Sequence, residues 1–81
     1  MRYQMAISYG DLEFGLRDRV LVISWPARNL DCFCGLNDKR DRVEVTWMPG
    51  FDTRQTRNLA GMMKRAGNRY LDELKLRRSP P

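Results

Sequence analysis

The chain has 81 residues and a mass of 9.6 kDa, enough for one domain with a small core. It carries 15 Lys and Arg against 10 Asp and Glu, for a net charge of +5, and it has no histidine. That removes Ser-His-Asp and Cys-His catalysis and every His-based metal site.

The first half alternates apolar and polar residues as strands do. Tyr3, Met5, Ile7 and Tyr9 share one face, and Gly10-Asp11 suits a two-residue hairpin loop leading to Leu12, Phe14 and Leu16. Asp18 can turn the chain again. Val20 to Trp25 is apolar on both faces, as an interior strand would be, and Pro26 stops it. Leu30, Cys32, Cys34 and Leu36 form the next alternation, then Asn37 to Asp41 reads as an exposed polar loop. Val43, Val45 and Trp47 give the clearest strand, and Pro49-Gly50 fits a type II turn.

The period then changes. Asp52 or Thr53 can cap a helix, with Gln55 completing a capping pair with Asp52. Leu59, Met62, Met63, Ala66, Tyr70 and Leu74 recur at steps of three and four and form one stripe. Gly67-Asn68 reads as either a kink or a stop followed by a new cap. The stripe stays in phase across it, which favours one helix. The expected fold is α+β: a four- or five-stranded antiparallel meander over about residues 3–48, with a basic amphipathic helix over about 53–76 packed on one face. Residues 1–78 form a single domain in this reading, and 79–81 a frayed tail.

Function classes narrow by elimination. Cys32 and Cys34 lack the spacing of redox or zinc motifs, and a reduced, half-buried pair is expected. The six glycines never form a phosphate-cradling pattern. Asp38, Asp41 and Glu44 interleave with Lys39, Arg40 and Arg42, as in a solvated loop. No catalytic role, metal or cofactor is expected. The longest apolar run, Val20 to Ile23, is far below the ~18 residues of a membrane span. Met1 to Gln4 lacks the apolar stretch of a secretory signal behind it, so a cytoplasmic chain is expected.

The positive signal is the charge distribution. Residues 1–52 hold seven basic and eight acidic groups, whereas residues 53–81 hold eight basic and two acidic ones. Arg54, Arg57, Lys64, Arg65, Arg69 and Lys75 fall between about 140° and 280° from Leu59 at 100° per residue, away from the apolar stripe. Clustered cations, mostly Arg, suit phosphate recognition. The alternative is an ordinary solvated helix face, although such faces usually mix signs.

A second candidate surface comes from the aromatics. Trp47 shares a face with Val43 and Val45 and reads as structural. Trp25, Ile23, Phe33 and Tyr3 could remain on a sheet face the helix does not cover, marking a protein interface unless the sheet curls and buries them or the chain dimerises there. Two functions follow as expectations. One is a non-catalytic binding protein docking its cationic helix on nucleic acid or a nucleoprotein complex. The other is a stoichiometric inhibitor of a host machine, of the phage or mobile-element type such as anti-CRISPR proteins, meeting an acidic protein surface.

Overall fold

The computed structural model describes residues 7–50 and 53–78. It is an α+β fold with four antiparallel strands in the order β1-β2-β3-β4 and one C-terminal helix. The strands are β1 (Glu13–Arg17), β2 (Val20–Trp25), β3 (Leu30–Leu36) and β4 (Val43–Trp47), followed by α1 (Thr53–Arg78). Tyr3, the Asp52 cap and the 79–81 tail lie outside the described residues.

Local chemistry explains the turns. Asp18 takes φ +52°, the left-handed value a two-residue hairpin requires at its first position, and Arg17 pairs directly with Val20. Pro26–Arg28 forms a 3-10 turn that ends on Asn29 at φ +50°. In the next loop Asn37 Oδ1 accepts the backbone N–H groups of Asp41 (2.9 Å) and Arg42 (3.2 Å). The expected first strand is corrected where it is described. Tyr9–Asp11 is a 3-10 turn, because the Tyr9 ring packs on Phe14 (centroids 5.1 Å) and its hydroxyl donates to Glu73 (3.2 Å). Those contacts draw the chain toward the helix instead of along β1.

One face of the sheet meets the helix. Leu21, Ile23, Cys32, Cys34 and Met63 are fully buried there, with Trp25 and Leu30 beside them. The helix runs unbroken through Gly67. A Cβ at Gly67 would stand 3.0 Å from Val43 Cγ2 and 3.3 Å from Leu21 Cδ2, so the glycine lets α1 approach the sheet tightly there. Beside it, Asn68 Oδ1 accepts the Val43 N–H at 2.8 Å. The pair that reads as a helix stop is a docking point.

That hydrogen bond sits at a β-bulge. Leu36 pairs with Val43 but Gly35 pairs with Val45, so β4 spends one extra residue, Glu44. The strand's facing inverts there. Val43 is buried, whereas Val45 is 58% and Trp47 64% exposed on the far side of the sheet. The expectation that all three share a structural face is therefore overturned.

Candidate nucleic-acid interface

The helix positions its side chains by where it touches the sheet. Leu59, Met63, Gly67 and Leu71 face inward. Steps of four advance about 40° around the axis, so this line drifts with the twist of the strands beneath it. Leu71, which falls outside the apolar stripe of Leu59, Met62, Met63, Ala66, Tyr70 and Leu74, is consequently buried at 5% exposure.

The cations remain outside. Arg57, Lys64, Arg65, Arg69 and Lys75 are all exposed; Arg54 lies in the first turn of α1, where its side chain is outside the described residues. Among the described residues, Arg57, Lys64 and Arg65 make no ion pair. Arg69 is committed locally: its Nε donates to Glu73 Oε1 at 3.3 Å and its guanidinium lies 4.0 Å from the Tyr9 ring centroid. Tyr9 donates to the other oxygen of Glu73, and Phe14 stacks on Tyr70 with centroids 4.5 Å apart. Burial and the neighbouring Glu73 carboxylate push the Tyr9 hydroxyl above its ordinary pKa. Arg65 and Arg69 border a shallow groove lined by Ile7, Tyr9, Leu12 and Met62. Lys75 lies near Asp41, whose carboxyl is held below its usual range by the Asn37 hydrogen bond first and by Lys75 and Lys39 more weakly.

The acidic loop residues have structural uses. Asn37 Nδ2 donates to Asp41 Oδ1 at 2.6 Å, Asp38 pairs with Arg19 at 3.3 Å, and Asp18 pairs with Arg40 at 2.9 Å, tying the hairpin turn to the next loop. The Cys32 and Cys34 Sγ atoms lie 4.0 Å apart and both residues are fully buried, not half-buried as expected. The hydrogen bond with Cys32 and burial both drive the Cys34 thiol upward.

The expected protein-interface residues separate. Trp25 and Ile23 are 6% and 0% exposed beneath the helix, because they alternate with the smaller Val20, Val22 and Ser24 and the bulkier set fills the core. Arg28 covers the Trp25 ring from 5.5 Å. Phe33 does face away from the helix, but its neighbour there is Trp47, with ring centroids 5.5 Å apart. Phe33 is half-buried, and the exposure of Trp47 beside it was hidden in the sequence by the bulge. None of the described residues belongs to a helix long and apolar enough to cross a membrane, nor to a cluster of three or more metal-ligating side chains. Comparison with family models, with curated proteins and with solved structures gave no match.

Proposed function

We propose that this is a non-catalytic cytoplasmic binding protein that lays the outward side of α1 along a nucleic-acid backbone. The observation that carries this reading is the exposed set Arg57, Lys64 and Arg65, unpaired among the described residues, on a helix with no acidic residue between Thr53 and Leu71. Arg57 to Lys75 spans about 27 Å at 1.5 Å per residue. That is close to eight base-pair steps of ~3.4 Å. Arg57 and Lys64 form one ridge and Arg65 stands about 100° around the axis from Lys64, so phosphates can be held from two sides. The groove beside Arg65 and Arg69 adds an apolar floor near Tyr9.

Fluorescence anisotropy against labelled single-stranded and duplex oligonucleotides tests the reading. Three neutralised phosphates on duplex give a salt slope of about −2.7, so raising salt from ~50 to ~200 mM should weaken binding about fortyfold. Reversing Arg57, Lys64 and Arg65 together should abolish it while the circular dichroism stays unchanged. Absence of binding at the lower salt, or a triple variant that binds as well as the parent, refutes it.

A further inference from the structure

The sheet surface facing away from α1 is built in three rows across the strands. Register places Glu13, Ser24 and Asp31 in the first, Gly15, Val22, Phe33 and Trp47 in the second, and Arg17, Val20, Gly35 and Val45 in the third. One end is thus acidic, the middle apolar and the opposite end basic at β1. Trp47, Val45 and Val20 are 64%, 58% and 40% exposed, an unusual concentration of bare apolar area on one face.

We infer that this face is covered by a second copy of the chain, related by a two-fold axis running along the Gly15–Trp47 row. Such an axis lays the apolar row on itself and exchanges the two outer rows, so that Glu13 opposes Arg17 of its mate on β1, while Ser24 and Asp31 lie over the small or apolar Val20 and Gly35. Both partners gain the same contacts, as an isologous interface requires.

Charge selects this occupant. Two chains of +5 repel most strongly through their helices, whereas Glu13, Asp31 and Arg17 leave the sheet face slightly acidic. That balance does not favour a phosphate backbone on this side. Size is also consistent. Four strands spaced ~4.8 Å apart and five residues long present on the order of 300 Å² in projection. The protruding Trp47 and Val45 bring the accessible area toward ~600 Å² per partner, where weak specific association begins. A dissociation constant of tens of micromolar is expected. The product is a helix–sheet–sheet–helix sandwich with two cationic helices on opposite outer surfaces.

Sedimentation velocity of the full chain from about 2 to 300 µM reads this directly. The parent should move from monomer to dimer, and Trp47→Ser should weaken the dimer at least about tenfold. Glu13→Arg and Arg17→Glu should each weaken it, and the double swap Glu13→Arg with Arg17→Glu should restore it. All of these positions are exposed, so unchanged thermal melts verify folding. A chain that stays monomeric to 300 µM overturns the inference, as does a dimer indifferent to Trp47→Ser or a charge swap without recovery.

Discussion

Replacing Asn68 by alanine removes the oxygen that accepts the Val43 N–H at 2.8 Å, at the residue where β4 bulges. Val43 is 3% exposed, so water cannot readily replace that acceptor. Stranding a buried donor costs about 1–3 kcal/mol. Alanine returns about 0.6 kcal/mol of helix propensity, leaving a net loss near 1.5 kcal/mol. In a domain of this size that lowers Tm by roughly 6–12 °C. Urea unfolding followed by circular dichroism measures the loss, with the exposed Asn58→Ala as a control that should gain a few tenths of a kcal/mol. Asn68→Asp keeps an acceptor and should retain most of the stability. Amide exchange at Val43 should accelerate selectively in Asn68→Ala. An alanine variant as stable as the parent, with Val43 still protected, would show that the contact contributes nothing and that Asn68 is merely tolerated in the helix.

Two further outcomes follow from the same helix. Gly61→Ala meets only the Arg65 guanidinium at 3.6 Å and should stabilise by about 0.5–1 kcal/mol, whereas Gly67→Ala should gain nothing because its Cβ would press on Val43 at 3.0 Å. Equal gains at both glycines in thermal melts would contradict the close approach. The raised Tyr9 pKa means that its protonated form is favoured in the fold, so its contribution is complete below the ordinary tyrosine value near 10.0 and is lost as pH climbs through the folded value. Stability measured against pH for the parent and Tyr9→Phe should therefore differ at neutral pH and converge in alkali; parallel curves would reject the Tyr9–Glu73 bond.

The strands from Val20 onward were legible because turn residues punctuate them: Pro26 closes β2, and the Asn37–Asp41 polar run separates β3 from β4. The continuous helix was legible from its unbroken stripe. Tyr9 was misread because its alternation with Ile7 is local, whereas its partners, Phe14 and Glu73, come from two other elements. The bulge was invisible for a similar reason. Val43, Val45 and Trp47 alternate cleanly, and only pairing with Gly35 and Leu36 reveals the extra residue. Gly35 takes part in that arrangement, since a Cβ there would lie 2.8 Å from Val45 Cγ1. The cationic residues were readable from sequence, as was the outward face of Phe33; the exposure of Trp47 beside it was not, because that depends on the register.

The bulge also makes the molecule unequally tolerant of changes in length. A strand alternates like a two-coloured ribbon, and Glu44 is the stitch at which the colours exchange sides. Deleting that single residue would join Val43 directly to Val45, restore ordinary alternation against Leu36 and Gly35, and leave Trp47 outward; deleting Val45 as well would carry Trp47 toward the helix and overfill the interior. Residues inserted between Asp38 and Arg40 would lengthen an exposed loop and leave every strand's colouring as it was. The loop before Val43 can therefore lengthen freely, whereas the strand after it has a single residue to give up before its two sides exchange.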